Sequence, residues 1–579
     1  MSLLVFLLAC GLGAVLGLLA RPFARVGRLI GIGGLLVAFA AALFIRSGTS
    51  LTVANVTMTG SQYAGLFLAC SAASGLLLCV VALASGWPDE LAPAALASFA
   101  GLAVATTASD PAVALAAGAA AAAAGALVIA NATPRTAAED GRLSELRTIG
   151  LVAAGLAFAA IAILRPPWAD LNDGTIFAVA FLGLGLALAV RSGAVPFHVP
   201  ATRLRETAAP LAPALLLVWM PAGLGVLAIS WSASTFGAGN DWMRGAVDVL
   251  QLVAVATLVL GPLAALVHDE LEEVAAYSIA ADAGFVLLAL AARTDAAAEP
   301  ARLWLLAFVA AKTGLVAWTA AVSHAFGTSN VPRLRGWLRR TPLLGVALAV
   351  IVVATLGWPG SAVYEARSTI IRLALPGQLQ FLFAASIVLS IGCFGRLLVI
   401  GALAPSRDVR AARSELPKWP AATANASRSP ARAVAPRPTT TADGPTATAG
   451  TDLAPTSAAA DPRPPRGTRR KLAVAWRLNG TLEVSLLVVA GAALAATIAF
   501  GGFGASHAAG FGIPLDTAAH ATPTPRPSTP IPSATPVPSA TPTLGPGGSI
   551  GPSPSGGFPE ASPSEIPVKT SGPARGGTD

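Results

Sequence analysis

The chain has 579 residues, 54% of them hydrophobic and 12% charged, with a mean hydropathy of +0.69. So much apolar surface excludes a soluble globular domain, and many of the apolar runs reach about twenty residues, the length that crosses a bilayer core. The formal net charge of +9 implies no nucleic-acid partner, because the cations sit in loops and one linker where membrane orientation accounts for them. Inside lipid the backbone must satisfy its own hydrogen bonds, so runs this long mean helices. The expected fold is an all-α polytopic membrane protein.

In chain order the runs predict spans near 3–20, 27–45, 64–86, 91–108, 111–131, 148–164, 175–197 and 208–231. Others follow near 245–267, 273–292, 302–323, 341–375 (broken), 379–403 and 481–501. That makes about fourteen crossings, the Ala-rich fifth being the weakest. Leu7-Leu8-Ala9-Cys10 has the form of a lipoprotein cleavage box. No basic residue precedes it and the apolar run continues past it, so the first span is expected to stay uncleaved. The four cysteines, Cys10, Cys70, Cys79 and Cys393, lie in apolar runs without metal-ligand spacing. They read as small buried hydrophobes, and no metal is expected.

Loop charge sets the orientation. With the N-terminus outside, the cytoplasmic loops hold Arg21, Arg25 and Arg28, then Arg135, Arg142 and Arg147, then Arg203 and Arg205, then Arg333, Arg335, Arg339 and Arg340. The alternate loops carry few cations: Arg46, Arg244, Arg293 and Arg302. An even number of crossings also puts the C-terminus outside, and the expected location is the cell (plasma) membrane. Residues 404–478, rich in Pro, Ala, Thr and Arg, read as a disordered basic cytoplasmic linker. The last span falls within 479–502, and residues 503–579 form a Pro/Thr/Ser-rich disordered tail. Residues 1–90 hold the N-terminal helices.

Two spans contain a helix breaker beside a cation. Pro196 follows Arg191 in Arg191-Ser192-Gly193-Ala194-Val195-Pro196-Phe197-His198, and Gly357-Trp358-Pro359-Gly360 precedes Arg367. Proline removes a backbone donor and frees a carbonyl, a break tolerated where it lines a polar cavity. The two spans are five apart, and an odd offset inverts topology. Residues 91–232 and 245–403 are therefore candidate inverted five-helix repeats, a transporter signature.

Lys312 stands near the middle of its span, and an ammonium there costs roughly 3 kcal/mol on insertion scales. Asp248, Asp282, Glu365 and Arg396 are the other charges within spans. With Arg191, Lys312 and Arg367 they are candidates for a polar axis along the mid-plane. Arginine hardly deprotonates, so Arg191 and Arg367 read as fixed charges, and Lys312 and Asp282 as the titratable pair. Packing-only ion pairs are the competing reading. His198 and His324, at helix ends, are either proton-exchanging groups or plain interfacial histidines.

At these residues the chain resembles the antiporter-like membrane subunits of respiratory complex I (NADH-quinone oxidoreductase), relatives of multisubunit sodium/proton antiporters and membrane-bound hydrogenases. Arg191 to His198 is similar to the family's Lys-Ser-Ala-x-x-Pro-Phe-His segment, and Ala208-Ala209-Pro210-Leu211 to its Pro-Thr-Pro-Val turn. Asp269 to Gly284 resembles its Asp-x-x-Lys-Arg-x-x-Ala-Tyr-Ser segment with a following glycine. Lys312 falls where many members carry a mid-membrane lysine, and Gly357 to Arg367 resembles the Gly-Ile-Pro-Pro segment and its downstream lysine. The likeness covers roughly residues 90–403. It implies about fourteen helices with two inverted repeats, antiporter-like over 91–232 and 245–403. It also implies no cofactor in this chain, with redox work left to partner subunits of a complex I-like, hydrogenase-like or antiporter complex.

The departures are specific. The family's first-half glutamate is expected near Ala120, where no acid stands. Arg191 and Arg367 replace lysines, Pro221 or its neighbour replaces another, and Glu272-Glu273 replaces the Lys-Arg pair. The resemblance implies a proton-translocating, non-redox subunit. Lys312 would hold the central proton, Asp282 with Glu272 or Glu273 would modulate it, and Arg191 and Arg367 would set the field. A scaffold that kept the fold and lost conduction is the alternative, with a free-standing solute transporter third.

Overall fold

The computed structural model describes residues 1–85, 91–129, 136–164, 173–198, 209–236, 243–375, 377–404, 486 and 488–492. The predicted linker and tail lie outside these residues, as does most of the span predicted at 481–501.

Helices α1 (Ser2–Leu19) and α2 (Ala24–Leu43) open the chain. An antiparallel hairpin, Ser50–Val53 with Val56–Thr59, leads to α3 (Gln62–Ser85). The hydropathy pattern did not announce this hairpin. It turns on Ala54 and Asn55, both at positive φ, the twist that two-residue hairpin loops require. Helix α4 (Leu91–Thr107) follows, then α5 (Pro111–Ala124) with a further turn at Ala126–Ile129. Asp110 caps α5 by accepting the Ala112 N–H at 2.8 Å.

Next come α6 (Thr136–Leu164) and α7 (Asp173–Arg191). A π-helical turn, Ala214–Trp219, runs into α8 (Met220–Phe236). Helices α9 (Arg244–Val267), α10 (Leu271–Ala292) and α11 (Asp295–Phe326) complete the centre. After a turn at Trp337–Arg340, the broken span divides into α12 (Pro342–Leu356) and α13 (Ala362–Ala374), and α14 (Phe381–Ala402) follows.

Among the described residues, nine helices are long and apolar enough to cross a membrane, or ten if one bent pair counts as a single span. Leu91–Thr107, Thr175–Arg191 and Ala214–Ser230 are shorter apolar helices. Burial separates centre from rim. The apolar windows of α10 and α11 are 94% and 100% buried inside the protein, against 33% for α1 and 22% for α14. A helix enclosed on all sides can carry charge that a lipid-facing one cannot. Lys312 lies on the most enclosed helix.

Small residues let the backbones meet, as expected where lipid offers helices no hydrophobic drive to associate. A Cβ on Gly183 would stand 2.5 Å from the Gly155 carbonyl oxygen and 3.0 Å from the Ala159 nitrogen, so α6 and α7 touch backbone to backbone. Gly183→Val is therefore expected to push the two helices apart and cost about 1–3 kcal/mol, as overpacking does. A lowered thermal midpoint of the detergent-solubilised chain checks this; an unchanged midpoint refutes the close approach.

Candidate functional site

Helix α10 builds one side of the central site. Ser278 and Asp282 are four residues apart and share a face, as i and i+4 positions must. Opposite them, on α11, the Lys312 ammonium lies 2.5 Å from Asp282 Oδ2. It also donates to Ser278 Oγ at 3.0 Å and to the Ser278 carbonyl oxygen at 3.2 Å. An ammonium has three donors and no acceptor, and α10 supplies three acceptors. Lys312 is 0% exposed, so this saturation makes its burial tolerable.

The helix break supplies the rest. Gly357 has φ +71° and a Cβ there would meet the Tyr364 nitrogen at 2.8 Å, so glycine is required where α12 stops. Stopping leaves the last carbonyls of α12 without helical partners. Arg367, on α13, donates to the Leu356 carbonyl at 3.1 Å and lies 3.5 Å from that of Thr355. Its other terminal nitrogen is 3.6 Å from Asp282 Oδ1. The guanidinium faces the rings of Phe285 and Trp304 at 4.5 and 5.3 Å, within cation–π range. Lys312, Asp282 and Arg367 thus form one buried cluster of two cations and one acid.

A second pair occupies the first half. Arg191, the last residue of α7, donates to Glu145 Oε1 on α6 at 2.5 Å, both side chains almost fully buried. Glu145 is a buried first-half acid that the sequence reading did not single out, while the positions around Ala120 carry no acid, as expected. Glu145, Thr148, Val152, Leu156 and Ala159 form one buried stripe on α6. Extending the apolar period of the 148–164 run one turn backward would have found it. Between Arg142 and Arg147, the residue reads instead as part of a charged loop.

The π-helical turn packs against the helix that carries Lys312. Trp219 Nε1 donates to Thr313 Oγ1 at 2.9 Å, next to Lys312. A π-turn inside an α-helix is often a functional irregularity, and Trp219, its last residue, is buried. Among the described residues no ion pair joins the Arg191 and Lys312 clusters.

Other predicted residues fall elsewhere. His198 and Glu273 gather at one end of α10, around Tyr277, and Glu272 is half-buried on the same turn. His324 is exposed in the last turn of α11, about 18 Å along the helix from Lys312 at 1.5 Å per residue. Pro196 and Pro359 are exposed in the turns after α7 and α12. The expected mid-plane axis loses three members. Asp248 is exposed, Glu365 is half-buried outside the cluster, and Arg396 bonds the Leu266 and His268 carbonyls and Asp269 at a helix end.

These features define a polytopic helical membrane protein with ion pairs enclosed at its core. A family model described as "NADH:quinone oxidoreductase/Mrp antiporter, TM" matches residues 153–392. A curated relative, NADH-quinone oxidoreductase subunit N of Thiobacillus denitrificans, is 24% identical over 43% of this chain and 51% of its own length. The chain spans about half the length of the curated relatives it matches. Among solved structures, a chain of respiratory complex I from Thermus thermophilus superposes with TM-score 0.57 at 20% identity, over 71% of this chain and 94% of that one. A chain of the Mrp complex from Dietzia sp. gives 0.58 at 19% identity, over 71% and 48%. At these identities the structural likeness shows the fold.

Proposed function

We propose that the chain is a proton-translocating, antiporter-like membrane subunit of a complex I-type assembly. The observation that carries this is the Lys312 ammonium, fully buried and held 2.5 Å from Asp282 inside the bundle. Arg367 keeps its charge in all conditions a protein meets. When Lys312 gives up its proton, Asp282 and Arg367 remain as a neutral pair, so the cluster has a stable state on either side of a transfer. Glu145 and Arg191 form the corresponding centre of the first half. Energy arrives as a conformational or electrostatic change from partner subunits, which also carry the redox cofactors.

The same reading takes the shorter apolar helices and the span at 481–501 as crossings, for fourteen in all. It pairs the turn after α7 with the break after α12 as equivalent points of two inverted repeats. Both termini lie outside the plasma membrane, on the arginine asymmetry of the loops.

One observation favours the competing scaffold reading: all three Lys312 donors are satisfied within a sealed cluster. The two readings separate in proteoliposomes carrying the full chain, under a potassium diffusion potential, with an internal pH dye. Conduction predicts wild-type proton flux that falls to the protein-free background in Lys312→Ala. Flux unchanged by that substitution removes Lys312 from the path, and no wild-type flux favours the scaffold.

A further inference from the structure

The end of α10 beyond Ser278 carries a cluster that neither ion pair uses. The Tyr277 ring stands between two imidazoles, with ring centroids 4.7 Å from His268 and 5.7 Å from His198. His198 belongs to the turn that follows Arg191, whereas His268 caps α9, so three segments converge on one phenol. His268 Nδ1 meets the Ala264 carbonyl at 2.8 Å, which leaves Nε2 facing Glu273 at 3.8 Å. His198 Nδ1 is buried without a hydrogen-bond partner among the described residues. The side chains of His268 and Glu273 are 37% and 28% exposed, so the outer edge of the cluster reaches the protein surface. Its inner edge is Tyr277, one residue before Ser278, whose hydroxyl holds the Lys312 ammonium.

The neighbouring charges are accounted for. Asp269 is taken by Arg396, and Glu270 accepts from Ser329 at 2.6 Å and Asn330 at 3.4 Å. Those last contacts fasten the mouth to the segment that carries Arg333, Arg335, Arg339 and Arg340. The mouth therefore opens on the arginine-rich face. Glu272 is a second acid beside Glu273.

We infer that His268, Tyr277 and His198, with Glu273, form the proton-uptake port of the Lys312 half. Glu273 and the His268 imidazole gather a proton from bulk water. Tyr277 passes its hydroxyl proton inward, by way of water, as it takes one from the histidine side, and ends as it began. An imidazole carries two ring nitrogens that can give or take a proton, and the phenol serves as both donor and acceptor. His198 ties the port to the turn of the first half, so a movement of that turn would open or close it.

The inference rests on the conduction reading, and its test separates the two. In vesicles of phosphatidylethanolamine and phosphatidylglycerol holding the full chain, Tyr277→Phe and His268→Gln should each lower the initial proton flux by about tenfold or more. The ring packing survives the first of these changes. His324→Gln, outside the port, should leave flux unchanged. In parallel, Tyr277→Cys is made in a chain whose four native cysteines are alanine, and a membrane-impermeant maleimide is added from either face. The new thiol should label from the arginine-rich face alone. Wild-type flux retained in both Tyr277→Phe and His268→Gln overturns the port and leaves the conduction reading standing. Absence of wild-type flux overturns the conduction reading. Labelling then decides the port: reaction from the arginine-rich face supports it, and protection from both faces overturns it.

Discussion

Asp282→Asn is expected to destabilise the protein by about 3–5 kcal/mol, whereas Lys312→Met costs less than about 1 kcal/mol. The difference comes from charge, since the two side chains are comparably buried. Removing the lysine leaves Asp282 beside Arg367, one acid with one base, and methionine nearly fills the volume. Removing the acid leaves two cations in a cluster with no anion. Lys312 can relieve this by shedding its proton, but the guanidinium cannot. Arg367 then depends on two carbonyls and two aromatic faces. Thermal or denaturant unfolding of the two variants in the same detergent checks the order. A Lys312→Met variant less stable than Asp282→Asn would show that the cluster is not held together by Asp282.

Glu145→Gln should carry a penalty of similar size, about 3–5 kcal/mol, because it strands Arg191 with a side chain only 1% exposed. Among the described residues its Nε and second terminal nitrogen have no partner. The double change Glu145→Leu with Arg191→Met should recover most of the loss, as replacing a whole buried pair by apolar groups generally does. A double-mutant cycle on unfolding free energy measures the coupling directly. Additive effects would mean that the pair does not form, and the first half of the protein would lose its centre.

The two clusters were unequally legible. Lys312 announced itself, because one cation in a long apolar run has no cheap explanation. Arg191 and Arg367 were marked by the breakers beside them, and the structure gives the second break a physical role: its freed carbonyls hold the guanidinium. Glu145 was missed because its helix extends into a stretch whose local charge density looks like loop. Arg396 erred the other way. It lies within an apolar run, yet a long side chain reaches the helix end and bonds there, as snorkelling arginines do. His268 and Tyr277 gave no separate signal, since a histidine at a helix end and a tyrosine in a span are ordinary alone.

By itself the sequence determined that the chain carries many apolar helices of membrane-crossing length, where most of them run, and that the span near 341–375 breaks. Run length, hydropathy and proline are local properties, and the bilayer reads them locally. Only the tertiary structure decided which charges meet. Glu145 finds Arg191 across 46 residues, and Asp282 serves both Lys312 and Arg367. Those meetings depend on how each helix is rotated and how closely its glycines let it approach, and no single run of residues encodes that.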